Sequence, residues 1–317
     1  MTTPSVLDAL PEGVVGLDTH MGGLPEITAG YLLPGDRPAL IETGPAKVAG
    51  VVAEGVARAG LAPEDLCWIV LSHIHLDHAG GVGDLVRTFP NATVVVHPFG
   101  ARHLASPERL LASSARVYGE LMETVYGGLT PVEASRIRAV EDGEVIDLGG
   151  RRLELIHAPG HARHHMAVFE PQLGALFAGD AVGVLLPGCQ VLRPATPPPD
   201  FDRDLALRSL RTFAARNPAH LVLTHFGPIT PPAERLAEAE ERLLRWCETA
   251  EAAAREHGPE VDHIEAALSE RFEREEGQPH DGDRFTLLNS YRSNAAGLAR
   301  WIQQRQAGGT AEGAQRR

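Results

Sequence analysis

Short apolar runs dominate the first hundred residues and predict strands more often than helices. The strand-like runs lie at 14–17, 29–33, 39–41, 68–71 and 93–97. Val48, Val52 and Val56 recur every four residues and predict a helix over 46–59, which Gly60 ends. The first half therefore begins as a β-meander and continues as alternating helix and strand.

The stretch 98–131 interrupts this alternation. Its apolar residues are spaced as in one or two amphipathic helices inserted between strands. Two interpretations stay open: ordinary helical packing, or a flap over a site in which Tyr118, Met122 or Tyr126 contacts substrate.

Strand-like runs return in the second half and then give way to a helical region. The runs lie at 144–148, 152–156, 167–169, 175–178 and 221–223, with a helical pattern over 202–216. After Pro232 the composition turns to Glu, Arg and Ala, with apolar residues at helical spacing. We therefore predict a β-rich domain over 1–231 and an extension of two or three helices over 232–317.

Four residues that commonly bind metals fall within the stretch His73-Ile74-His75-Leu76-Asp77-His78. The stretch directly follows the predicted buried strand 68–71 and precedes two glycines. His73 and His75 are two apart, so on extended backbone they point to the same side. Imidazoles with a carboxylate suit zinc, iron or manganese, and the lack of a thiolate argues against a purely structural zinc. The stretch predicts a metal site at a strand end.

Three later polar residues also stand where an apolar strand stops. They are His161, Asp180 and His225, which follow the runs at 152–156, 175–178 and 221–223. Catalytic and binding residues often lie just beyond strand ends, on loops that a rigid scaffold holds in place. We predict that these residues complete the metal site.

Composition and charge narrow the set of partners. The 317 residues are 43% hydrophobic and carry a net charge of −13, which disfavours nucleic acid and anionic membranes as partners. Cys67, Cys189 and Cys247 form no CxxC pair, and we expect a reducing cytoplasm. No signal-peptide pattern and no run of about 18 apolar residues is seen, so we expect a small-molecule substrate and no membrane.

The order of these polar residues resembles that of the metallo-β-lactamase superfamily. The resemblance covers about residues 12–230 and rests on His73-x-His75-x-Asp77-His78, His161, Asp180 and His225. It implies an α/β fold, an αβ/βα four-layer sandwich with two mixed sheets face to face and the site at one edge. It also implies that His73, His75 and His161 bind one metal, that Asp77, His78 and His225 bind a second, and that Asp180 bridges both.

A metal pair of this kind implies hydrolysis. Two divalent ions, zinc first with iron or manganese as alternatives, lie about 3.5–4 Å apart and hold a bridging hydroxide at neutral pH. We assign Asp77 the catalytic role of orienting that hydroxide and passing a proton to the leaving group. The expected reaction is hydrolysis of an ester-like bond, in a lactone, carboxylic ester or phosphoester, of a small molecule.

Several positions differ from well-known branches of the superfamily. Glu42 stands where the family often has Asp, and Gly183 stands where acyl-homoserine-lactone lactonases have Tyr. The segment 181–191 lacks the Lys, Arg or Tyr with which glyoxalase II-type enzymes bind glutathione. The candidate substrate contacts are His20, Tyr118, Tyr126 and His165.

Two alternatives stay open at this stage. One is a glyoxalase II-like thioesterase. The other is a non-haem iron oxidoreductase resembling persulfide dioxygenases, which uses a single iron and has no need of His78 or His225. The helical extension also leaves two roles open, a homodimer interface and a wall of the substrate pocket.

Overall fold

Two six-stranded mixed sheets form the centre of the computed structural model, which describes residues 5–276 and 282–315. The first sheet has its strands in chain order: β1 (Val15–Asp18), β2 (Ala29–Leu33), β3 (Ala39–Ile41), β4 (Trp68–Val70), β5 (Thr93–Val96) and β6 (Ile137–Ala139). β1, β2 and β3 pair antiparallel, whereas β3 to β6 pair parallel.

The second sheet repeats the arrangement with the later strands. They are β7 (Val145–Asp147), β8 (Arg152–His157), β9 (Met166–Glu170), β10 (Ala175–Phe177), β11 (His220–Leu223) and β12 (Gly227–Ile229), again in chain order across the sheet. β10 and β11 pair parallel and the other neighbours antiparallel. Sequence analysis predicted all strands except β6 and β12. β6 is Ile-Arg-Ala and β12 is Gly-Pro-Ile, so neither contains the apolar run by which the other strands were predicted.

Alternation along the strands separates the inner faces of the sheets from the outer ones. In β2, Tyr31 and Leu33 pack in the core between the two sheets, whereas Leu32 packs with the helices outside the first sheet. Phe177 of β10 belongs to the same inner core, and Leu176 belongs to the outer one. β2 and β10 are thus buried on both faces, as inner strands of four layers must be, whereas the edge strands β1, β6 and β7 are partly exposed. The predicted αβ/βα sandwich is confirmed.

Helices cover both outer faces. Outside the first sheet, and at its edges, lie α1 (Ala49–Arg58), α2 (Leu76–Ala79), α3 (Val82–Thr88), α4 (Pro98–Ala105) and α5 (Glu108–Tyr118). The later helices are α6 (Arg203–Arg216), α7 (Pro232–His257), α8 (Val261–Glu276), α9 (Gly282–Leu288) and α10 (Tyr291–Gln315). α4, α5 and a π-helical turn at Met122–Tyr126 form the predicted insert over 98–131.

The chain after Pro232 contains four helices in its described part, so the prediction of two or three is wrong. α9 is only seven residues long, too short to show a helical repeat. Trp246, Phe272 and Ile302 from this region share one hydrophobic core with Leu176 and Leu221 of the second sheet. The extension therefore covers the outer face of that sheet, and the boundary at residue 231 stays a prediction. Within the described segments, no helix combines the length and the apolarity needed to cross a membrane.

Candidate metal centre

The first metal-binding stretch lies in the connection from β4 to α2. Beyond β4, the backbone N–H of Leu71 still donates to Val95 of β5, and α2 begins directly after His75. His73 and His75 thus precede the helix, and Asp77 and His78 lie in its single turn. A Cβ on Gly80 would lie 2.8 Å from the backbone nitrogen of Ala46, so only glycine lets the chain pass here.

The three later residues approach the same edge from the second sheet. His161 follows β8, Asp180 follows β10, and His225 follows β11. Because β10 and β11 are parallel neighbours, their carboxyl ends bring Asp180 and His225 together. All seven predicted ligands are brought together in three overlapping groups whose candidate ligand atoms lie within 4.8 Å of one another.

One group consists of three imidazoles. His73 Nε2 and His161 Nε2 lie 2.9 Å and 3.0 Å from His75 Nδ1, so three ring nitrogens point at a common centre. An imidazole ring has at most one N–H when neutral, and the three inward atoms cannot all be matched as donor and acceptor. The arrangement is that of ligands around a cation.

A second group contains Asp77, His78 and His225. The third overlaps both, because it joins His73 and His78 with Asp180. The Nε2 atoms of His78 and His225 are 3.2 Å apart, and Asp77 Oδ2 lies 3.7 Å and 3.5 Å from them. Asp180 lies between the groups. Its Oδ1 is 3.2 Å from His78 Nε2, and its Oδ2 is 3.6 Å from His161 Nε2. Each carboxylate oxygen of Asp180 therefore faces a different group.

The donor set fits a pair of divalent cations. Five imidazoles and two carboxylates without a thiolate suit zinc, iron or manganese. Asp77 Oδ1 is buried and has no hydrogen-bond partner in the described part of the chain. A buried acceptor of this kind is costly unless it pairs with a cation or a donor.

The pKa shifts keep His73 and His75 neutral and Asp77 ionised, which are the forms that bind metals, whereas the shift at His78 favours the protonated form. Burial and the neighbouring imidazoles lower the pKa of His73, and burial with His161 lowers that of His75 to about 4. Burial raises the pKa of Asp77, but His78 and His225 outweigh it and bring the pKa to about 2. Burial lowers the pKa of His78, but Asp180, Asp77 and Glu42 outweigh it and raise the pKa well above its usual value.

Backbone carbonyls orient two of the imidazoles. Nδ1 of His161 lies 3.1 Å from the carbonyl of Ala195, and Nδ1 of His225 lies 2.9 Å from the carbonyl of Ile27. Since a carbonyl only accepts, each Nδ1 carries the hydrogen and each Nε2 presents its lone pair inward. Ser72 Oγ also contacts Nδ1 of His73, at 2.9 Å, but a hydroxyl can donate or accept, so this contact orients the ring without fixing its tautomer.

Glu42 supports His78 from outside the cluster. Its backbone has a φ of 65°, a left-handed conformation uncommon for a residue with a side chain. Its Oε1 accepts the N–H of Ser72 at 3.1 Å, and its Oε2 lies 3.3 Å from His78 Nδ1. The extra methylene relative to the expected Asp still reaches a candidate ligand.

Glu42→Gln should weaken zinc affinity by about tenfold to 100-fold, because outer partners of ligand histidines are worth that much. Glutamine keeps an acceptor for Ser72 and removes only the charge beside His78. Competition with a chromophoric chelator measures the affinity, and Glu54→Gln, at an exposed position on α1, is the matched control. An unchanged affinity in Glu42→Gln would show that the carboxylate does not act on His78.

The predicted substrate contacts have different outcomes. Tyr118 lines the cavity next to Asp77, Asp180 and His225. Tyr126 is buried behind it, with ring centroids 4.2 Å apart.

The two candidate histidines lie elsewhere. His165 is fully buried and accepts the backbone N–H of Asp180 at 3.1 Å, so it holds a candidate ligand and does not face the cavity. His20 is exposed, has a φ of 54° and does not line the cavity.

Sequence analysis left open that the extension forms a wall of the pocket, but it singled out none of the residues by which α9 and α10 contribute to the cavity. Asn289, Ser293 and Asn294, around the α9–α10 junction, line it together with His75 and His161. No local motif marks these residues, since their partners lie almost a hundred positions away.

The two asparagines hold the loop that supports His161. Asn294 Oδ1 accepts the N–H of Thr196 at 2.6 Å, and Asn289 Nδ2 donates to the carbonyl of Pro194 at 3.2 Å. Between them lies Ala195, whose carbonyl orients His161. The helical extension is therefore built into the site through this loop.

Two mixed sheets packed in a sandwich, with a buried cluster of histidines and aspartates at one edge, define a metallo-hydrolase. The profile of the Metallo-beta-lactamase superfamily matches residues 23–225, and the chain belongs to that superfamily. The resemblance and the fold class predicted from the sequence are confirmed.

Two relatives match this chain over most of its length. It is 34% identical over 212 residues to a metallo-β-lactamase fold-containing protein of Sulfurisphaera tokodaii, covering 65% of this chain and 76% of that protein. It is also 25% identical to a metallo-β-lactamase family protein of Thermus thermophilus. The superposition on that crystal structure covers 95% of this chain and 95% of that chain, with a TM-score of 0.65.

Two relatives have named activities. A human acyl-coenzyme A thioesterase is 32% identical over 119 residues, or 36% of this chain and 40% of that protein. A hydroxyacylglutathione hydrolase of Legionella pneumophila strain Corby is 27% identical over 114 residues, or 36% and 33%. The chain spans less than half the length of either.

Proposed function

We propose that this chain is a binuclear metal-dependent hydrolase that cleaves an ester-like bond of a small molecule. Of the lactone, carboxylic ester and phosphoester expected from the sequence, we favour the two acyl bonds, because the relatives with named activities are an acyl-coenzyme A thioesterase and a hydroxyacylglutathione hydrolase. One observation carries the proposal: Asp180 turns one oxygen toward each ligand group, so that both groups are complete. A single-iron oxidoreductase would leave His78 and His225 without a use.

Different residues of the centre have different roles in the proposed reaction. When bound, a pair of divalent cations supplies an acidified water as nucleophile and an electrophile for the substrate oxygen. Asp77 lines the cavity and is ionised, so its carboxylate can accept a hydrogen bond from the attacking water and then carry a proton to the leaving group. Asp180 holds the two ligand groups at a fixed spacing.

Tyr118 supplies a neutral donor. Burial raises the pKa of its phenol, and the charges of Asp77 and Asp180 raise it further, so the hydroxyl stays protonated. A protonated phenol at the cavity wall can donate to the oxygen on which charge develops. Tyr118 is therefore our candidate for the residue that stabilises this charge.

Thioester cleavage is the second candidate. It is favoured by the relatives named acyl-coenzyme A thioesterase and hydroxyacylglutathione hydrolase, which are similar to this chain over part of their length. Segment 181–191, without Lys, Arg or Tyr, argues against glutathione as the thiol part.

A substrate panel on the zinc-loaded protein tests the proposal. It contains p-nitrophenyl esters, lactones, acyl thioesters and phosphodiesters, each assayed beside chelator-treated protein. We expect metal-dependent hydrolysis of esters or lactones. Turnover of thioesters alone would move the assignment to the second candidate, and turnover of phosphodiesters alone, or of nothing, would overturn the proposal.

A further inference from the structure

A groove of about 420 Å³ lies beside the metal centre. Val117, at the C-terminal end of α5, and Leu121, just before the π-helical turn, form one side, and α9 and α10 form the other with Leu287 and Ala296. Its volume is in the range of about 300–1,000 Å³ typical of small-molecule sites. The two segments whose roles the sequence left open, the insert and the extension, therefore face each other across it.

The groove adjoins the catalytic cavity. Tyr118, Leu288 and Ser293 line both spaces. A substrate whose reacting bond lies at Asp77 and Asp180 would reach the groove by passing the ring of Tyr118. The groove is where the remainder of the substrate would be bound.

The lining selects an uncharged, apolar occupant. Most of the lining residues are apolar, and the charged ones are Arg116 and Arg292. Arg292 pairs with Asp262 at 3.0 Å and with Glu265 at 2.7 Å, so its charge is already compensated. Val117 exposes 48% of its surface, so an apolar side chain is available to an occupant of the groove.

We propose that this groove binds the acyl arm of the substrate, an aliphatic chain of medium length. This inference rests on the proposed acyl-bond hydrolysis and names its substrate class. The carbonyl carbon lies at the metal centre, and the chain lies between α5 and the helices α9 and α10. The extension then acts as a specificity-determining wall of the pocket.

A chain-length series tests the inference. On the zinc-loaded protein, kcat/KM for p-nitrophenyl esters should rise from acetyl to octanoyl by about threefold to fourfold for each methylene that enters the groove. Val117→Asp should reduce the octanoyl-to-acetyl ratio at least about tenfold, because a charge then lines the groove. Val145→Asp is the matched control, since Val145 is 43% exposed on β7 and does not line the groove.

Two further measurements distinguish a failure of the groove proposal from a failure of the proposed hydrolysis. Ala296→Phe fills the groove from α10 and should lower the octanoyl-to-acetyl ratio of kcat/KM. Calorimetry with octanamide, which carries no ester, should show binding that Val117→Asp weakens and Val145→Asp does not. Octanamide binding without ester hydrolysis would retain the groove and overturn the proposed function. Ester hydrolysis with no chain-length preference and no octanamide binding would overturn the groove.

Discussion

Asp77→Ala should lower the turnover of the metal-loaded protein by more than about 100-fold, the lower range for loss of one general acid or base. Two effects add. The variant loses the ionised carboxylate that lines the cavity, and it leaves His78 and His225 as a pair of ligands without their carboxylate. Occupancy of the second metal position should therefore fall together with turnover.

Metal analysis beside steady-state kinetics separates these effects. Asp77→Asn keeps the volume and removes the charge, so it should bind more metal than Asp77→Ala while remaining slow. Asp147→Ala, at an exposed aspartate on β7, is the control for a general effect of losing a carboxylate. Near-normal turnover in Asp77→Ala would remove Asp77 from the mechanism.

Removal of the metals should abolish hydrolysis and also lower the melting temperature. Without cations, the carboxylates and imidazoles of the centre are buried without full compensation. A ligand that binds only the folded chain stabilises it by about 4 kcal/mol when its concentration is a thousand times Kd. Reconstituted protein should contain close to two zinc or iron equivalents per chain.

The metal content of histidine variants tests whether each ligand group binds one metal ion. His225→Ala removes a ligand of one group only, and it should bind close to one equivalent. His157→Ala alters a histidine that stacks on His97 outside the cluster, and it should retain two equivalents. One equivalent in the unaltered protein would contradict the binuclear mechanism and favour the single-iron alternative.

The ligand set was predictable because its signals are local. His73 to His78 follow a strand directly, and His161, Asp180 and His225 each stand at the end of an apolar run. Strand ends in a sandwich lie at a common edge, so a pattern read over six residues suffices to place a side chain at the site. The two sheets were predictable for the same reason.

Residues that act through distant partners gave no such signal. Asn294 contacts Thr196 across 98 positions, and neither residue belongs to a motif. His165 was singled out by its spacing from His161, but burial gives it the backbone of Asp180 as a partner in place of substrate. Sequence spacing predicts the direction of a side chain and does not predict what lies beside it.

The division of ligands between the two sheets has a mechanical consequence. His78 and His225 meet at 3.2 Å although 147 positions separate them, one beside each sheet of the sandwich. Cations that bind both residues hold together two parts of the folded chain that are far apart in sequence, and the free energy of binding adds to that of folding. The metal centre would therefore stabilise the packing of the two sheets against each other at this edge.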